Sequence, residues 1–196
     1  MSDAGQRPLN VLQVCDHLGW EGSRMHGVKR LFSWMIPRFD RRHFSVSLLS
    51  LRKKDVSEET LDALGIDITY LERSKFDPMT LPAMLRVIDA KNVDILHLHG
   101  YGATTFGRLA GSLRGIPTIL HEHANLTDTP FYQKVADRIL EPATDIALAV
   151  EPGNHPAEQA LDAVHPRPFP PEVVADLENV QRSVHSGWCV GDELSR

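Results

Sequence analysis

The chain has little cysteine, few aromatic residues and no long apolar run, and each shortage removes a class of protein. Two cysteines, Cys15 and Cys189, stand in 196 residues; so far apart, they make neither a metal-ligand spacing nor a disulfide framework. Cys15 lies inside an apolar stretch and reads as a small core residue. Aromatic residues are only 7% of the chain and do not interleave with the basic ones, which argues against a nucleic-acid surface. No apolar run reaches the roughly 20 residues that a membrane-spanning helix needs. The opening MSDAGQRPLN lacks the apolar core of a secretion signal, so a cytoplasmic protein is expected.

Hydrophobic residues at 42% and charged residues at 24% are usual for a soluble globular protein. The length suits one domain with an appendage. Charge is unevenly spread along it. Residues 1–150 carry 18 basic and 18 acidic residues, whereas the last 46 carry 3 and 8 and so supply the whole net charge of −5. The same 46 residues hold 6 of the 13 prolines. These shifts predict a folded body over 1–150 and a Pro-rich acidic tail over 151–196 that forms no recognisable domain.

Within the body, short apolar runs alternate with amphipathic stretches. Strands are expected at 10–15, 43–51, 66–71, 93–98, 118–121 and 145–150, and helices at 23–36, 57–64, 77–90, 104–113 and 131–140. Met25, Val28, Phe32 and Met35 line one side of the first helix. Asp77 and Pro78 suit the N-cap and first position of the third, and Gly65 and Gly115 suit helix stops. Six strands alternating with helices predict the α/β class, with a doubly wound, parallel, six-stranded Rossmann-like sheet in the order 3-2-1-4-5-6. The direction of winding then reverses between the first and fourth strands. The loops 16–22, 99–102 and 121–125 would meet in one crevice there.

Two histidine pairs close strands at that crevice, in DILHLHG (His97, His99) and TILHEH (His121, His123). Residues two apart on a strand share a face, and the carboxyl ends of such strands are where open α/β sheets hold ligands. Nucleotide motifs fail at the same place. The first loop offers Gly19 and Gly22 without the G-x-G-x-x-G pattern, and Gly22 to Gly27 has P-loop spacing but Val28 where the lysine must stand. What remains is a Gly-containing turn into a helix whose N–H groups could meet an anion. For the histidines three readings stay open: hydrogen-bonded core residues, metal ligands with Glu122 as a base, and groups that touch a substrate.

These pieces together, VLQVCDHLGWEGS, DILHLHGYGA, GIPTILHEHAN and ATDIALAV, resemble the N-terminal domain of retaining GT-B glycosyltransferases, in particular glycosyltransferase family 4. The resemblance covers about residues 9–150; the first loop departs from it, because Trp20 and Glu21 separate glycines that are usually adjacent. It implies a transferase that moves a sugar from a nucleotide-sugar donor to a sugar or lipid-linked acceptor with retention of configuration. His123 would be the catalytic group, near the transferred sugar. Gly19, Gly22, His99, Gly100 and Glu122 would line the donor-phosphate and substrate crevice, with no metal and no cofactor. The family's second, nucleotide-binding domain carries an E-x7-E motif, and no two glutamates here stand eight positions apart. The expectation is therefore a truncated gene product or half of a split enzyme, inactive alone. The alternatives are a non-catalytic remnant or binding module and, from the histidines, a metal-dependent hydrolase. Basic runs at Arg38, Arg41 and Arg42 and at Arg52, Lys53 and Lys54 read as solvated loops, or as a peripheral contact with an anionic inner membrane face.

Overall fold

The computed structural model describes residues 7–18, 27–54, 59–74, 77–122 and 131–149. Six strands form one sheet: β1 (Leu9–Cys15), β2 (Phe44–Ser50), β3 (Ile68–Tyr70), β4 (Ile95–His99), β5 (Thr118–Glu122) and β6 (Ile146–Ala149). Every pairing is parallel, and the order is β3-β2-β1-β4-β5-β6, as the alternation of elements predicts. The helices between them are α1 (Gly27–Met35), α2 (Glu59–Ala63), α3 (Thr80–Lys91), α4 (Tyr101–Arg114) and α5 (Phe131–Leu140).

The near-continuous apolar character of the central strands follows from burial on both faces. On one face Val11, Cys15, Leu48, Ile95 and Ile119 pack against Leu31, Phe32 and Met35 of α1 and Leu61 of α2. On the other, Leu12, Val14, Leu49, Leu96 and Leu98 pack against Met84 and Ile88 of α3 and Ala103 and Ala110 of α4. At about 1.5–3 kcal/mol per buried large aliphatic side chain, these two layers dominate the stability of the sheet. Helices α1 and α2 cover one face and α3 and α4 the other, so the winding reverses where β1 lies beside β4.

Two carboxylates fix the amino ends of the strands. Asp94, just before β4, accepts from the Asn10 N–H at 2.8 Å and from Arg7 through both oxygens at 2.7 Å. Asp145, just before β6, accepts from the Thr118 N–H at 2.8 Å. Each satisfies a backbone donor at the start of a neighbouring strand. Both lie at the opposite end of the sheet from the histidines.

Three boundaries differ from the sequence expectation for physical reasons. Strand β3 is an edge strand of only 3 residues. Asp77 does not cap α3: its carboxylate accepts from the Met79 N–H at 2.8 Å and its carbonyl from the Thr80 N–H at 3.0 Å, making a turn ahead of the helix. Helix α4 starts at Tyr101 rather than at 104, because a side chain from β1's end, described below, satisfies its first turn. The expected start of the first helix at 23 and the tail 151–196 lie outside the described residues.

Candidate functional site

Strands β1, β4 and β5 bring one row of polar side chains onto the face beneath α1. Gln13 is in register with His97, Cys15 with His99, and His99 with His121. In-register neighbours in a sheet project to the same side, as do residues two apart, so Gln13, His97, His99 and His121 converge. The His99 Nε2 lies 2.8 Å from Gln13 Oε1. A carboxamide oxygen only accepts, so His99 carries its proton on Nε2 and donates. The ring centroids of His97 and His99 are 4.4 Å apart, those of His99 and His121 4.9 Å, and those of His97 and His121 5.4 Å with the rings nearly parallel at 13°. Phe32 of α1 meets His99 edge-on at 4.9 Å.

This cluster is sealed. Gln13 is 0% exposed, His99 1%, His97 4% and His121 5%. The expectation of a partly accessible His99 at the crevice rim is therefore corrected. A strand-end position is legible in the sequence, but the cover that Phe32 of α1 supplies comes from a distant segment. Gln13 itself was missed, although its signal was present as a lone carboxamide inside the apolar run NVLQVC.

Gly100 turns the chain from β4 directly into α4. Its φ is +91°, a conformation that only glycine takes without strain. Asp16, the residue after β1, closes against this turn. Its carboxylate accepts from the Gly102 N–H at 3.1 Å and the Ala103 N–H at 2.6 Å. It thus satisfies two of the first-turn donors of α4 and puts negative charge at the positive end of the helix dipole. A Cβ at Gly100 would lie 3.2 Å from Asp16 Oδ2, and one at Gly102 only 2.8 Å from Asp16 Oδ1. Asp16 was placed in the crevice by sequence but given no role. The two N–H groups it occupies are ones an anionic ligand would otherwise meet.

Of the other expected site residues, Gly19, Gly22 and His123 lie outside the described residues. Glu122 ends β5 in register with Ala149 of β6, and its side chain is outside the described set. The structure therefore brings His99 and Gly100 together with Asp16, Gln13, His97 and His121.

Several charges of the basic runs are engaged among the described residues. Arg38 lies over the Trp34 ring at 4.1 Å, Arg42 pairs with Asp40 at 2.6 Å, and Lys54 pairs with Asp62 at 2.5 Å. The Arg42 guanidinium and N–H hold the Asp40 carboxyl well below its ordinary range. Partial burial works to raise the Asp94 carboxyl, but the hydrogen bonds from Arg7 and the Asn10 N–H outweigh it and the net shift is downward. Among the described residues no helix is long and apolar enough to cross a membrane.

Comparison with known proteins places this geometry. The profile of a family described as "Glycosyl transferase 4-like domain" matches residues 26–168, continuing past position 150. No curated protein sequence matches the chain. Among solved structures, MurG of Acinetobacter baumannii aligns with a TM-score of 0.52 and 19% identity, over 76% of this chain and 43% of its own. The apo form of WaaB, a lipopolysaccharide outer core galactosyltransferase, aligns with a TM-score of 0.55 and 14% identity, over 72% and 39%. A glycosyltransferase of Rickettsia africae aligns at 0.54 and 17%, over 74% and 37%. At these identities the likeness is one of fold, that of the N-terminal Rossmann-like half of GT-B glycosyltransferases. The chain spans about two fifths of the length of each of these structures.

Proposed function

The chain belongs to the glycosyl transferase 4-like family, and from that premise we propose that it is the acceptor-side domain of a retaining glycosyltransferase using a nucleotide-sugar donor. The observation that carries this reading is the family match over 26–168 falling on a doubly wound sheet. The reversal between β1 and β4 is the point where such sheets hold ligands. In this reading His123 is the catalytic group, one residue beyond the end of β5. Its imidazole donates to a hydroxyl of the transferred sugar as charge develops. The loop containing Gly19 and Gly22 approaches the donor phosphates, and Gly100 and Glu122 line the acceptor side. His99, being buried, supports that rim from beneath rather than touching sugar.

Nucleotide grip is assigned to a second domain that these 196 residues do not include, since they hold no E-x7-E spacing. Without it the donor phosphates face water, where electrostatic stabilisation is screened. Positioning worth roughly 7–11 kcal/mol of a barrier is absent as well. The chain alone then binds an acceptor weakly and transfers nothing. The acceptor is a sugar or lipid-linked glycan met in the cytoplasm, with the basic runs 38–42 and 52–54 as a peripheral contact to an anionic membrane face. The test is nucleotide release by the purified chain from a panel of UDP-, GDP- and ADP-sugars with glycan acceptors. None is expected, and steady release that disappears in His123→Ala would overturn the inactivity of the isolated chain while keeping the role of His123. Release that survives His123→Ala would remove that role.

A further inference from the structure

We propose that His97, His99 and His121 form a binding site for a divalent transition-metal ion, zinc by its ligand chemistry, set inside the sheet and separate from the transfer crevice. One ligand nitrogen from each of the three rings lies within 4.8 Å of the others, and all three residues are buried. Three imidazoles without a carboxylate select against magnesium and calcium, which take oxygen ligands, and suit zinc and its neighbours. Tetrahedral zinc with Zn–N of about 2.0–2.1 Å sets its ligand nitrogens roughly 3.4 Å apart. Turning the rings about their Cα–Cβ and Cβ–Cγ bonds is the adjustment that would bring the nitrogens to that spacing.

The surroundings are those of a metal site. His99 donates its Nε2–H to Gln13 Oε1 at 2.8 Å, which orients the ring. Ligating histidines commonly donate their other ring N–H to a carbonyl or carboxylate in this way. Neighbours on the same face include Cys15, Ile119 and Phe32, and the burial of the three rings keeps bulk water from them. Strands β4 and β5 hold all three rings, and the parallel register sets His99 beside His121 without relying on any loop. Three protein ligands leave a fourth position, which in this sealed setting one enclosed water would fill. Family membership does not carry this assignment; the site stands on the side chains of this sheet alone.

The test uses the full, tag-free chain, stripped with chelator and then titrated with zinc or cobalt(II). About one equivalent of zinc should bind, raise the melting temperature, and be replaced by cobalt with the visible absorption of a four-coordinate ion. His97→Gln and His121→Gln should each weaken binding at least about tenfold, and Gln13→Leu about 10–100-fold through the lost hydrogen bond to His99. If a histidine variant does not fold, the wild-type imidazole nitrogen spectrum decides instead. Zinc should shift the ring nitrogens of three of the 10 histidines, assigned to His97, His99 and His121. Substoichiometric binding, metal retained by both histidine variants, or shifts on other rings would overturn the proposal.

Discussion

Removing the Asp16 carboxylate should do more than lose a cap, because two glycines are built around it. Asp16 accepts from the N–H groups of Gly102 and Ala103, a charge-assisted cap delivered from the end of β1 to the first turn of α4. Cap deletions cost about 0.5–2 kcal/mol, and bonds to charged groups run about 1.5–3 kcal/mol each. The site is only partly buried, so water replaces some of this, and Asp16→Ala should cost about 2 kcal/mol. Gly102→Ala pulls in two directions. Alanine in place of a helical glycine gains about 1 kcal/mol, but its Cβ would stand 2.8 Å from Asp16 Oδ1. That oxygen cannot withdraw without breaking the cap, and overpacking of this kind costs about 1–3 kcal/mol. Gly102→Ala should therefore destabilise the chain by about 1 kcal/mol when Asp16 is present and be neutral or stabilising in the Asp16→Ala background. Urea denaturation of the four proteins measures this directly. With a slope of about 1–3 kcal/mol per molar urea, the Asp16→Ala midpoint should fall by about 1 M. Additive effects within about 0.5 kcal/mol, or an Asp16→Ala protein as stable as the parent, would refute the reasoning.

Other expectations are simpler. Gln13→Leu leaves the buried His99 Nε2–H without its acceptor, and denaturant midpoints should report a loss of about 1–3 kcal/mol. Gly107→Val should be more damaging than a surface change, since even a Cβ there would run into the Leu98 side chain; expect about 1–3 kcal/mol from overpacking between α4 and β4, or failure to express as folded protein. The Asp94 carboxyl titrates below its unfolded value of 3.8, so the stability it confers is present above that pH and is lost as pH falls through its lower folded value. Arg7→Ala should lower the melting temperature slightly at neutral pH and flatten its fall below about pH 4, because a pair whose arginine is mostly exposed contributes about 0–1 kcal/mol. An unchanged acid limb would assign the shift to other groups.

Most of the architecture was legible because it rests on local patterns. The six apolar runs, their alternation with helices and the turn glycines Gly65 and Gly115 determine a parallel sheet, and handedness then leaves few strand orders. What local pattern does not carry is which side chain from a distant segment completes an element. Helix α4 begins early because Asp16, more than eighty residues before it, supplies the cap. His99 is buried because Phe32 of α1 lies over it, although its strand-end position suggested a rim. His97 and His99 share a face as strand alternation predicts, and His121 joins them and Gln13 in one sealed cluster, while His123 lies outside the described residues. That convergence depends on the β1–β4–β5 register, which no single strand reveals. Asp94 and Asp145 show the same limit, since each acts on the strand beside its own.

The claim that the carboxyl ends of β1, β4 and β5 form the sugar-handling face is tested most directly by amide NMR of the isotopically labelled chain during titration with glycan acceptors and nucleotide-sugars. Shifts should gather on 16–18, on 100–103 and on the residues immediately after Glu122, with the amino-end positions Asn10, Asp94, Thr118 and Asp145 unmoved. Shifts confined to those amino-end positions, or none with any acceptor at millimolar concentration, would contradict it.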